Sequence, residues 1–238
     1  MTTGEDQRWV PFYLAQPLWN LLNACLFEYG VAAYDLELGK NLTTKERRDA
    51  PEFRARARQT LKKIRQQMTK DYLVHPLLTG LSALTTLTPN ATANLVRNVW
   101  THSVIMCGHF SEGVETLEKQ SIDGESQGEW YLRQMLGSAN ISGSKVMHFM
   151  TGDLSHQIEH HLFPDLPSSR YAEIAPQVRA LFEKYELTCV SDSMPREVAS
   201  AWKKVVRLSL PNDFAGKTQA AVLDFRRPES KSAKSEAA

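Results

Sequence analysis

His156-Gln157-Ile158-Glu159-His160-His161-Leu162-Phe163-Pro164 is the stretch on which the fold and the chemistry of this chain turn. Three of the seven histidines fall within its first six positions. A helix turns about 100° per residue, so Gln157, His160 and His161 fall within about a third of its circumference. Two imidazoles and an amide oxygen can then aim at one point, and neutral imidazole is a ligand for iron, zinc or copper. The bland reading is a surface histidine cluster with no metal. Pro164 and Pro167 stop the helix, because proline has no N–H to donate and clashes with the preceding turn.

A second pattern overlaps the first. His156-x-x-Glu159-His160 has the inverted zincin spacing, in which two histidines one turn apart hold zinc and the glutamate is the general base. That reading, a zinc hydrolase, needs a third ligand elsewhere and leaves His161 and the following LFP without a role. Of the other histidines, His109 in Cys107-Gly108-His109-Phe110 closes an apolar segment and is a candidate to reach the same metal. His102 lies about two turns deeper in that segment. His75 and His148 receive no role.

Outward from the cluster, the chain reads as all-α. Residues 72–110 carry one charge, Arg97, and Pro89-Asn90 is a turn signal in their middle. Two arms, 72–87 and 91–110, sit near the lower limit for a membrane span, so a short hairpin that enters and leaves on one face is expected. The competing reading is a pair of core helices. Residues 9–27 have no charge but are broken by Pro11, Pro17, Asn20 and Asn23, which suits an interfacial helix with Trp9, Phe12, Tyr13 and Trp19 at headgroup depth, or equally a buried helix of a soluble core. Residues 45–70 are rich in bases (Arg47, Arg48, Arg54, Arg56, Arg58, Lys62, Lys63, Arg65), which is a solvated face or a cytoplasmic, anionic-lipid-facing one. An acidic loop over 111–128, a helical stretch over 130–150 with a break near Ser142-Gly143, helices over 170–185 and 196–210 and a polar, disordered tail over 226–238 complete the reading.

Composition sets bounds. The chain has 238 residues with a net charge of +1, so no strong field points to nucleic acid. Mean hydropathy is negative, which hides the apolar runs. Cys25, Cys107 and Cys189 are scattered and odd in number, with no CxxC pair, so neither a zinc ribbon nor a disulfide framework is indicated and a reducing, intracellular setting fits best. The start, MTTGEDQRW, lacks the pattern of a signal peptide.

QIEHHLFP at 157–164 resembles the third histidine box of membrane fatty acid desaturases, in the form where glutamine replaces the box's first histidine. LPSSRYAEIAPQVRALFEKYEL after it, and NATANLVRNVWTHSVIMCGHF and WYLRQMLGSANISG before it, are similar to acyl-CoA desaturases of the linoleoyl-CoA type. The likeness runs from about Trp9 to about Pro211. It implies the C-terminal part of such an enzyme: a partial desaturase domain over 1–225, with an interfacial or membrane helix at 9–34, a membrane hairpin at 72–110 and a cytosolic helical cap at 111–211.

The resemblance further implies two irons held mostly by histidines and an O2-dependent reaction that leaves a cis double bond in a fatty acyl chain, most simply an acyl-CoA. Electrons come from a separate reductase or ferredoxin. By position, His160 and His161 are iron ligands, Gln157 binds iron directly or through water, and His109 is a further ligand outside the boxes. The family's first two boxes, HDxxH or HxxxH and HxxHH, are absent from these 238 residues. The expectation is therefore a fragment that is inactive alone: a truncated gene product, a half completed by a separate N-terminal half, or the product of a wrongly placed start codon. A membrane-surface protein without catalysis is the remaining alternative.

Overall fold

The structure, a computed structural model, describes residues 9–115 and 124–211. The disordered tail expected over 226–238 and the centre of the acidic loop lie outside the described residues. Twelve α-helices make up most of what is described: α1 Gln16–Cys25, α2 Phe27–Asp35, α3 Leu38–Asn41, α4 Lys45–Asp49, α5 Pro51–Thr69, α6 His75–Leu78, α7 Ala83–Phe110, α8 Gln127–Leu136, α9 Lys145–Met150, α10 Gln157–Leu162, α11 Tyr171–Lys184 and α12 Met194–Ser209. The all-α reading needs one local amendment. Asn140–Ser142 (β1) and Ser191–Ser193 (β2) pair in parallel, with Ile141 opposite Asp192. No helix among the described residues is long and apolar enough to cross a membrane. The chain divides into two compact units, residues 20–104 and residues 1–19 with 105–238.

In the first unit the two arms expected over 72–87 and 91–110 do not form, and the chain does not turn at Pro89-Asn90. α7 runs unbroken through Pro89, and the reversal falls at Thr79–Ser82, where Gly80 adopts φ +58°. Proline inside a helix forfeits one backbone hydrogen bond, whereas a left-handed turn residue is least strained as a glycine. Asn90, read as a turn former, instead donates its amide to the Asp71 carbonyl at 2.6 Å, and Asn94 donates to Asp71 Oδ2 and Tyr72 Oη at 3.2 and 3.0 Å. Thr86 Oγ1 meets Thr79 Oγ1 at 2.9 Å nearer the turn. Arg97, the lone charge of residues 72–110, pairs with Glu28 of α2, which also accepts from Gln67 of α5. Pro51 splits the basic run as its sequence foretells, closing α4 and opening α5 at its first turn.

The second unit builds the frame around the histidine box. Met106 and Phe110 at the end of α7 pack on Ala201 and Val205 of α12. Beside them the buried pair Glu112–Arg207 closes at 3.1 Å, and Glu112 N–H donates to Ser200 Oγ. A separate core joins α8, α10 and α11 through Met135, Ile158, Leu162, Val178 and Phe182. Ser126 and Glu129 cap α8 reciprocally, satisfying two N–H groups that the first helical turn leaves without partners. The break expected near Ser142-Gly143 is wider than that reading, covering 137–144, with β1 at its centre. Asn140 N–H bonds Val190 O and Ile141 N–H bonds Ser155 O, so the backbone is satisfied across space rather than along a helix.

Candidate metal centre

Three of the four sequence-chosen ligands lie on α10, a helix of six residues whose length is set by His156 at its N-cap and Phe163 and Pro164 at its end. Two apolar residues, Ile158 and Leu162, anchor it in the α8–α11 core. One polar residue aims it. Asn140 of β1 accepts from Ile158 N–H at 2.9 Å and donates to Glu159 Oε2 at 2.8 Å. Glu159, 2% exposed, is thus held as a buried carboxylate by a side chain across the mini-sheet.

With α10 so fixed, His161 meets His109 at the end of α7. Their ring centroids stand 4.9 Å apart in an edge-on arrangement, and His160 lies 5.5 Å from His161. Gln157 is 3% exposed and presses on Gly108: a Cβ on that glycine would stand 2.6 Å from Gln157 Cγ. The close approach of α10 to α7 therefore favours glycine there. The structure places the His161 ring between those of His109 and His160, and sets Gln157 against Gly108, the residue before His109.

Electrostatics favours the uncharged imidazole. Nε2 of His161 is buried and has no hydrogen-bond partner. Burial, with the neighbouring His109 and His160, pushes the His161 pKa down to about 4. Its nitrogen lone pair is therefore free at neutral pH, which is what a metal ligand requires. His160 Nδ1 lies 3.0 Å from Oη of Tyr171, itself 2% exposed. With Nδ1–H donating to that oxygen, Nε2 is the free donor atom, the arrangement that orients histidine ligands generally.

The fit to a metal is good in donor type and partial in donor number. Among the described residues no three His, Cys, Asp or Glu side chains close around a single point. Three imidazoles in a row with an amide beside them are donors of the type iron takes, in a number short of what two irons need.

The zincin alternative does not assemble. His156 is not within α10; its ring stacks on His148 at 4.7 Å, and His148 Nδ1 reaches Ser155 Oγ at 2.7 Å. His160 lies with Tyr171 and His161, so the two histidines of HxxEH have different surroundings, and Glu159 is tied to Asn140. His102 hydrogen-bonds Asn20 within the first unit, Nε2 to Oδ1 at 3.2 Å.

Sequence reasoning missed Gly108, Asn140 and Tyr171. A glycine inside a helical pattern beside a candidate ligand was a legible signal for the first. Neither of the other two has a local signature, because each acts on α10 from another element.

Residues 2–193 match the family model described as fatty acid desaturase. The chain is 44% identical over 214 residues to an NADPH-dependent stearoyl-CoA 9-desaturase of Mycobacterium tuberculosis, covering 88% of this chain and 50% of that protein. It is 33% identical over 86 residues to a mouse fatty acid desaturase 2-like protein, covering 36% of this chain and 17% of the relative. It is 35% identical over 69 residues to human fatty acid desaturase 3, covering 29% and 16%. The chain thus spans about half the length of the mycobacterial relative and less of the mammalian ones. No solved structure matches it.

Proposed function

The chain belongs to the fatty acid desaturase family, and from that premise we propose that it supplies the third-box half of an iron-dependent acyl desaturase. The observation that carries the reading is the buried imidazole row His109–His161–His160 with Gln157 wedged against Gly108. His109, His160 and His161 would hold iron through neutral nitrogens, and Gln157 would lend its amide oxygen directly or through water. The iron, when bound, supplies the oxidising power that side chains lack for removing two hydrogens from adjacent methylenes. The balanced reaction converts –CH2–CH2– to –CH=CH– with O2, two electrons and two protons, releasing two waters. The electrons come from a separate reductase or ferredoxin; the mycobacterial relative is NADPH-dependent by name.

This chain's own part is positioning. Asn140 sets the pitch of α10, Tyr171 orients the ring of His160, and the core of Ile158, Leu162, Val178 and Phe182 keeps the box dry on its inner side. Two irons call for more ligands than these four side chains, so the proposal includes further histidines from another polypeptide segment, such as a separate N-terminal half. The substrate is a fatty acyl group, most simply a CoA thioester, as the relative's name states for that protein. The hairpin lies in lipid from one face, with the histidine-bearing part on the cytoplasmic side. Exposed Leu77, Leu78, Leu81 and Leu84 at its turn support this.

The test is iron per protein for the full chain purified in detergent. At most about one weakly held iron is expected, lost in His160→Ala and His161→Ala. Iron content unchanged in both variants refutes the site, and stoichiometric zinc with a hydrolase activity abolished by Glu159→Gln would restore the zincin reading.

A further inference from the structure

Helix α5 carries six bases, Arg54, Arg56, Arg58, Lys62, Lys63 and Arg65, against one acid, Glu52. All six are exposed. Arg54 pairs with Asp49 at 2.7 Å, while Arg58, Lys62, Lys63 and Arg65 form no ion pair among the described residues. Six like charges on one short helix repel one another unless something anionic lies against them. Four of them are also aligned. Arg54, Arg58, Lys62 and Arg65 follow i, i+4, i+8 and i+11 along about 16 Å of helix, and they line a single shallow groove of about 630 Å³ with Leu61, which is 63% exposed.

The neighbours along the chain indicate what covers this face. α5 passes through a π-helical turn at Lys70–Val74 into α6 and then into the hairpin turn. Leu73, Leu77, Leu78, Leu81 and Leu84 there are exposed. From Arg65 to Leu77 the helical run is about 18 Å, close to the ~15 Å depth of one leaflet's hydrocarbon. When the leucines are in acyl chains, the bases stand at phosphate height. A nucleic acid would answer the charge but leave the leucines bare; a bilayer answers both.

We propose that α5 is a headgroup-reading face: Arg54, Arg58, Lys62 and Arg65 hold the phosphates of anionic lipids, so the chain prefers acidic membranes to neutral ones. The proposal rests on the one-sided hairpin reading and adds to it the lipid class. Each base near an anionic surface contributes about fivefold to partitioning, and the contribution fades with salt.

The experiment is flotation of the full chain, taken from detergent, with vesicles of phosphatidylcholine alone or mixed with phosphatidylglycerol. Mixed vesicles should take up more protein, high salt should erase the difference, and the triple variant R58Q/K62Q/R65Q should lose about a hundredfold in mixed vesicles only. The charge-preserving pair R58K/R65K should retain binding. These side chains are exposed, and circular dichroism of each variant checks that it folds. Equal uptake by both vesicle types, no uptake by either, or a triple variant that floats like the parent overturns the proposal. So does tight binding of inorganic pyrophosphate with no vesicle preference, which would assign the groove to a soluble phosphate. A second arm separates the hairpin reading. L77D/L81D should reduce uptake by neutral vesicles; if it does not, the hairpin reading fails while the base-dependent difference is judged on its own.

Discussion

Replacing Gly108 by Ala sets helix propensity against packing at the candidate centre. The added Cβ would stand 2.6 Å from Cγ, 2.8 Å from Cδ and 3.2 Å from Nε2 of Gln157, where carbon atoms normally meet at about 3.5–4.0 Å. Gln157 is buried at 3% exposure, so its side chain has little room to retreat. In an open helical position the same change would stabilise by about 1 kcal/mol, since alanine loses less backbone entropy than glycine. Overpacking of a tight interior costs about 1–3 kcal/mol. The net expectation is a chain from unchanged to about 2 kcal/mol less stable. Urea unfolding of the detergent-solubilised protein, followed by circular dichroism, measures it. Gln157→Ala and the double variant complete a cycle, and a coupling of at least about 1 kcal/mol is expected because the collision vanishes when Gln157 is shortened. If Gly108→Ala stabilises the chain, or the two changes simply add, the wedge of Gln157 against α7 is not a real constraint.

Asn140→Ala removes the acceptor of Ile158 N–H and the donor to the buried Glu159 side chain, leaving only His156 Nδ1 at 3.9 Å. A loss of about 3 kcal/mol is expected by denaturation, and Glu159→Gln should restore part of it by removing a buried acid that has lost its hydrogen-bond donor; no rescue would place the cost elsewhere. Tyr171→Phe keeps the ring but loses the hydroxyl at His160 Nδ1, so metal affinity read by Co2+ absorption should fall about 10–100-fold, and an unaltered spectrum and affinity would deny Tyr171 its orienting part. For pH, His161 ionises at about 4 when folded and near ~6.5 when unfolded. The unfolded metal-free chain therefore binds more protons between these values. The contribution of His161 to stability is complete above the unfolded value and is lost as pH falls through the folded one, up to about 3 kcal/mol. Unfolding of the metal-free parent and of His161→Asn at pH 7 and pH 4.5 checks it; parallel pH slopes would show that His161 is not held neutral.

Legibility in the sequence followed the range of the interaction. QIEHHLFP announced a short helix with three donors, because helical periodicity and the proline stop are properties of adjacent residues. Pro51 likewise announced the break between α4 and α5. Proline at 89 misled, since it ends a helix only where nothing else replaces its lost bond, and the side chains of Asn90 and Asn94 hold α7 to the Asp71 turn. The width of the break at 137–144 was hidden for the same reason: β1 exists only because Ser191–Ser193 lies beside it.

From its order of residues alone this chain declared its family, its helical character, its basic helix and the identity of its candidate ligands. The tertiary structure decided that His109 stands 4.9 Å from His161, that His156 belongs with His148, and that Gly108, Asn140 and Tyr171 hold the box in place. The reason is physical. Donor type and helix phase are carried by neighbours in the chain, whereas the aim of an imidazole is set by contacts from elements 10 to 50 positions away, which no local pattern encodes.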